Sequence, residues 1–99
     1  MLNSLVYVDI SPIHGKGLFA KKFIPADTVL GTLVGEYTFS NGDYVLWLDD
    51  YTGLKVLCDF RYINHSDAPN AAYFTSLEVC AIKVIRPDEE ITHDYQVGW

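Results

Sequence analysis

Short apolar segments rich in Val, Leu, Ile, Tyr and Phe are broken every eight to twelve residues or so by Gly, Pro, Asn and Asp, the pattern of many short strands. Strands are expected at Val6–Ile10, Gly17–Ala20, Val29–Val34, Tyr44–Leu48, Leu54–Cys58, Val79–Val84 and Ile91–Tyr95. Asn41-Gly42, between Tyr37-Thr38-Phe39 and Tyr44-Val45-Leu46, suits a tight hairpin because both residue types accept positive φ. Asp50-Tyr51-Thr52-Gly53 reads as the next turn, and Pro25-Ala26-Asp27 and Pro87-Asp88-Glu89 each stop an apolar stretch. No segment sustains a 3.6-residue apolar period between caps, so helix is confined to one or two turns around Arg61–His65. The class is mainly β. No internal repeat, low-complexity tract or linker is evident, and residues 1–99 read as a single domain.

Composition narrows the picture. Ninety-nine residues support one core, and 49% hydrophobic residues with 14% aromatics are ample to pack it. Mean hydropathy is +0.10. No apolar run approaches the ~20 residues that span a bilayer, and the start lacks a basic region followed by an apolar one, so no membrane association and a cytoplasmic location are expected. Thirteen acids against seven bases leave a formal charge of -6, which repels a phosphate backbone and attracts a lysine-rich protein. Direct nucleic-acid binding is therefore not expected, although the same balance also serves to keep a small protein in solution. Cys58 and Cys80 read as reduced core residues, and His14, His65 and His93 lack zinc-ligand spacing, so no metal is expected.

Three segments carry candidate chemistry. His14-Gly15-Lys16-Gly17-Leu18-Phe19-Ala20 fits a dinucleotide-binding glycine pattern on paper, but Pro25 would end the helix that such a motif requires. It reads better as a glycine turn entering a strand, either an ordinary turn or one whose backbone lies against a ligand. Asn64-His65-Ser66-Asp67-Ala68-Pro69-Asn70 concentrates hydrogen-bonding groups between apolar flanks, and these suit either an adenine or amino-acid edge or an Asx turn of the chain itself. Ile91-Thr92-His93-Asp94-Tyr95 ends on a tyrosine that is either a core cover or a functional hydroxyl.

Taken in order, these segments resemble the SET-domain family of protein-lysine methyltransferases. Ser11-Pro12-Ile13-His14-Gly15-Lys16-Gly17-Leu18-Phe19-Ala20 with Ile24-Pro25-Ala26 is similar to the family's opening. Arg61-Tyr62-Ile63-Asn64-His65-Ser66 with Pro69-Asn70, and Glu89-Glu90-Ile91-Thr92-His93-Asp94-Tyr95, are similar to its two later motifs. The resemblance implies a fold of small curved sheets with a C-terminal pseudoknot, S-adenosylmethionine as cofactor, and methyl transfer to a lysine of a protein substrate. It implies cofactor binding by Lys16, Gly17 and Leu18, largely through backbone, and by Asn64 and His65; it places Tyr95 at the catalytic tyrosine. Tyr44 falls on an aromatic that flanks the target lysine, and His93 on a position that influences how many methyls are added.

The departures carry information too. Asp67 stands where the family has a cysteine, and with only Gln96-Val97-Gly98-Trp99 after Tyr95 a zinc-closed lysine channel is not expected. Trp99 is then the large group available to wall the lysine channel, and a homodimer is another way to cover it. A catalytically inactive module that binds lysine-bearing partners is the alternative reading.

Overall fold

The computed structural model describes residues 5–49, 51–74 and 76–94. Its strands are, in chain order, β1 (Val6–Ile10), β2 (Lys16–Ala20), β3 (Val29–Thr32), β4 (Gly35–Thr38), β5 (Val45–Trp47), β6 (Gly53–Val56), β7 (Asn64–His65), β8 (Ala71–Tyr73), β9 (Glu78–Ala81) and β10 (Glu90–His93). They form three small sheets, ordered β1-β2-β10-β7, β3-β9-β8 and β4-β6-β5. A single 3₁₀ turn spans Asp59–Tyr62, two residues ahead of the helical turn expected from the sequence. Among the described residues no helix is long and apolar enough to cross a membrane.

The inner faces of all three sheets meet in one core. Leu18 and Ile91 come from the first sheet, Leu30 and Val79 from the second, Leu54 and Val56 from the third, and Phe60 and Ile63 fill the junction. Leu18, Val79 and Ile91 have no exposed surface at all.

The expected mainly β class holds, and β1 has the limits expected from the sequence. Two local expectations fail. Asn41-Gly42 does not close a hairpin between β4 and β5, because β6 lies between them and pairs antiparallel with both. Residues 39–44 instead carry the chain back across the sheet, and the left-handed residue of that return is Tyr44, at φ 63°. The true hairpin joins β5 to β6, and Asp49 closes it by accepting the Tyr51 and Thr52 backbone N–H groups at 2.8 and 2.7 Å.

The second failure concerns repetition. Ala20-Lys21-Lys22-Phe23-Ile24-Pro25-Ala26-Asp27 and Ala81-Ile82-Lys83-Val84-Ile85-Arg86-Pro87-Asp88 share Ala, Lys, Ile and Asp at equal spacing. The two segments bond reciprocally. Ile24 N–H donates to Ile85 C=O at 2.8 Å and Ile85 N–H to Ile24 C=O at 2.9 Å. Asp27 N–H donates to Ala81 C=O at 2.8 Å, and Asp88 N–H to Ala20 C=O at 2.7 Å. Asp27 and Asp88 both adopt positive φ, 67° and 66°, which the short polar Asp tolerates better than a branched residue. The repeat is too short and too degenerate to stand out in the sequence, yet it sets the turns that lead into β3 and β10.

The last described strand carries the pseudoknot geometry as far as the described residues reach. β10 lies between β2, antiparallel, and β7, parallel. Segment 64–70 is bonded over it: Ser66 N–H donates to His93 C=O at 3.1 Å. Buried Asn70 accepts Thr92 N–H at 2.9 Å and donates to Glu90 C=O at 2.8 Å.

Candidate functional site

The parallel β7–β10 pairing sets Asn64 opposite Thr92 and His65 opposite His93. It brings the second motif against the third and, through β2, both against the glycine turn. The half-buried Asn64 amide spans all three: its Nδ2 lies 3.2 Å from His14 O, 3.1 Å from Lys16 O and 2.9 Å from Glu90 Oε2. Asn64 thus satisfies chain groups, and in doing so its amide holds the turn.

The turn itself is closed by Ser11, whose N–H donates to Gly15 C=O at 2.8 Å and whose Oγ accepts Ile13 N–H at 2.9 Å. Gly15 has φ 47°, with nothing within 4 Å of where a Cβ would stand, so its face is open to a ligand. Gly17 is glycine for a different reason: a Cβ there would collide with the Glu90 carboxylate.

Beside this turn lies a cavity of about 390 Å³. His14 and Asn64 stand on its walls with Tyr44, Leu46, Ile63 and Tyr73. Its size falls within the ~300–1,000 Å³ of small-molecule sites. Tyr44 is held in its positive-φ conformation as Val56 N–H donates to its carbonyl at 2.9 Å. A bulky residue in this region costs of order 1–3 kcal/mol, and such strain gathers at functional sites. Tyr44 meets Tyr62 edge to face at 5.9 Å, and the Arg61 guanidinium stacks 4.4 Å from the Tyr62 ring centre. Arg61 is itself fixed by donating to Leu57 and Cys58 carbonyls at 2.8 and 3.2 Å.

His93 is buried and packs on Tyr73 with ring centres 4.3 Å apart. Burial pushes its pKa below the ordinary 6.5, opposed by a hydrogen bond with Ala71 backbone and by the Asp94 charge; His65 adds to the lowering. The ring is therefore held toward its neutral form behind the cavity wall. His65 pairs through Nε2 with Asp67 at 3.0 Å, and its Nδ1 lies 3.8 Å from Asp94. These three residues bring ligand atoms within 4.8 Å of one another, but Asp67 is almost wholly exposed, and the arrangement is that of a surface pair tying β7 to the end of β10.

Of the expected site residues, Asn64 and Tyr44 reach the cavity together. Among the described residues that line it, Lys16, Gly17, Leu18, His65 and His93 do not appear. Leu18 is fully buried and its strand is paired on both sides, which commits its side chain to the core. Tyr95 and Trp99 lie outside the described residues. Sequence reasoning assigned no role to Ser11, Tyr73, Asn70 or Glu90. The last had a signal, since a carboxylate at the start of an apolar strand must find donors if its neighbours are buried.

The SET domain family profile matches residues 15–96, and the chain belongs to that family. Comparison with curated proteins finds no match. Among solved structures it is similar to a Plasmodium falciparum protein assigned as a histone methyltransferase, with TM-score 0.74 and 22% identity over 99% of this chain and 98% of that one. It is also similar to KRYPTONITE in complex with mCHG DNA and SAH, with TM-score 0.81 and 21% identity over 96% of this chain. The match spans 24% of the KRYPTONITE chain. At these identities the likeness is one of fold.

Proposed function

We propose that this chain is an S-adenosylmethionine-dependent protein-lysine N-methyltransferase. The observation that carries the reading is one cavity whose walls bring Asn64 and His14 of the glycine turn together with the aromatic residues Tyr44 and Tyr73, in a chain of the SET family. The cofactor fits this end of the cavity on the donor set present: a glycine-faced turn at Gly15 for close backbone approach, His14 and Asn64 on the wall, and a volume of small-molecule size. The SAH bound to KRYPTONITE supports the same cofactor class. When bound, the cofactor supplies an electrophilic methyl group on a sulfonium.

The chain's own task is alignment, water exclusion and control of a proton. A free lysine has a pKa of about 10.4, so holding it neutral at pH 7 costs roughly 4.6 kcal/mol. Apolar walls such as Leu46, Ile63 and Tyr73 disfavour the ammonium and lower that cost, with no dedicated general base needed. Tyr44, on the cavity wall, is the residue we assign to flank the lysine stem. The resemblance puts the orienting hydroxyl on Tyr95, and Trp99 is the residue we assign as a channel wall. The acidic balance of -6 supports a basic protein substrate.

The test is transfer of labelled methyl from S-adenosylmethionine to a lysine-rich protein mixture, with mass spectrometry of the products. Label on lysine Nε is expected. Tight cofactor binding without any transfer would instead support the inactive binding module.

A further inference from the structure

We infer that Glu90 is a positioning residue that locks the glycine turn and Asn64 into one cofactor-ready unit; the inference rests on the cofactor reading above. Three observations converge on its carboxylate. Ser11 Oγ donates to it across 79 residues of sequence, 2.9 Å from Oε1 and 2.8 Å from Oε2. Asn64 Nδ2 reaches Oε2 at 2.9 Å from a third segment of the chain. Gly17 has no side chain where the carboxylate stands, and a Cβ there would collide with Oε2 and approach Ser11 Cβ at 2.9 Å.

The chemistry explains why an acceptor-only group occupies this place. The Ser11 hydroxyl already accepts Ile13 N–H at 2.9 Å, so its own proton is free to be donated. The Asn64 amide presents N–H groups toward Glu90 while also reaching the His14 and Lys16 carbonyls. Both neighbours therefore donate, and a carboxylate accepts from both at once. The Ser11 hydroxyl in turn holds the start of the turn by accepting Ile13 N–H, and Asn64 fixes its end through Lys16 C=O. Glu90 joins these two clamps from β10. Glu90 is not among the described residues that line the cavity above and touches no reacting atom; its effect on the cofactor runs through the backbone of residues 13–16.

The experiment is calorimetric titration of S-adenosylmethionine into the wild type, Glu90→Ala, Glu90→Gln and Ser11→Ala, well below each protein's unfolding temperature. Glu90→Ala is expected to weaken binding by ten-fold or more and Ser11→Ala by three-fold or more. Glu90→Gln should stay within about three-fold of wild type, because its oxygen still accepts from Asn64 and the Ser11 hydroxyl can turn to accept from the new amide. A merely structural Glu90 would lower the melting temperature of Glu90→Ala and leave the Kd of the folded protein unchanged, which would overturn the inference. If Glu90→Ala does not fold, unchanged affinity in Ser11→Ala overturns it equally. A wild type that binds no S-adenosylmethionine would remove the cofactor reading and this inference together, whereas a binding wild type with indifferent variants removes the inference alone.

Discussion

The region around β2, β7 and β10 and the region around β4, β5 and β6 are built by different means. In the first, Asn64, Asn70, Ser11 and Glu90 bond across 19 to 79 residues of sequence, joining separate segments. In the second, side-chain bonds such as Asn41 Oδ1 to Gly42 N–H or Asp49 to Thr52 N–H stay within a few residues. It also leaves Tyr37, Phe39 and Tyr51 68%, 85% and 80% exposed. The difference teaches where preorganisation lies: the proposed cofactor half is cross-braced, and the proposed substrate half is an open sheet with one strained aromatic, Tyr44, at its edge.

The cross-bracing breaks most severely at Asn70. Asn70→Ala strands the Thr92 N–H and the Glu90 C=O, at about 1–3 kcal/mol for each buried group left unpaired. With ~4–8 °C per kcal/mol for a domain of this size, thermal denaturation should show a fall of roughly 10 °C or more. A fall of only a degree or two would mean the brace is redundant.

Next come the two glycines that abut other segments. A Cβ at Gly17 meets side-chain atoms, the Glu90 carboxylate and Ser11 Cβ, whereas at Gly35 it meets the Lys55 carbonyl of the paired strand. Gly35→Ala should therefore cost more stability than Gly17→Ala, about 1–3 kcal/mol as for other overpacked sites. Gly17→Ala should instead weaken S-adenosylmethionine binding. Urea denaturation and calorimetry on both variants separate the two effects.

Tyr44→Gly sharpens the comparison from the other side. Glycine adopts φ 63° without steric cost, so stability should hold or rise by up to about 1 kcal/mol while the KM for a peptide substrate rises. Unchanged KM would make Tyr44 a turn residue only.

The smallest expected effect is that of His93. Its folded-state pKa lies below 6.5, so as pH falls below about 6.5 the unfolded chain takes up the proton first and stability declines; above that range His93 adds no pH dependence. His93→Phe should make the decline between pH 7 and 5 shallower in denaturation measured across that range, and an unaltered slope would show that other groups set it.

What was legible in the sequence follows the same division. β1 and β2 announce themselves as short apolar segments between turn residues, and Pro25 and Pro87 mark turns that the structure makes. The short strands β7 and β8 do not, because Asn64–His65 is a strand only by virtue of β10, nearly thirty residues on. Asn41-Gly42 misled because hairpin chemistry is local, while the partner of β4 was decided by β6. Asn64 was legible as a polar residue in apolar surroundings. The Ser11–Glu90 bond was not, since no local period connects residues so far apart.

In the proposed function the braced region serves the cofactor and the open region the substrate. Calorimetric titration of S-adenosylmethionine into wild type, Asn64→Ala and Tyr44→Ala tests it most directly. At least ten-fold weaker binding, ~1.4 kcal/mol, is expected for Asn64→Ala and less than two-fold change for Tyr44→Ala. Equal affinities in all three, or a larger loss at Tyr44, would contradict it.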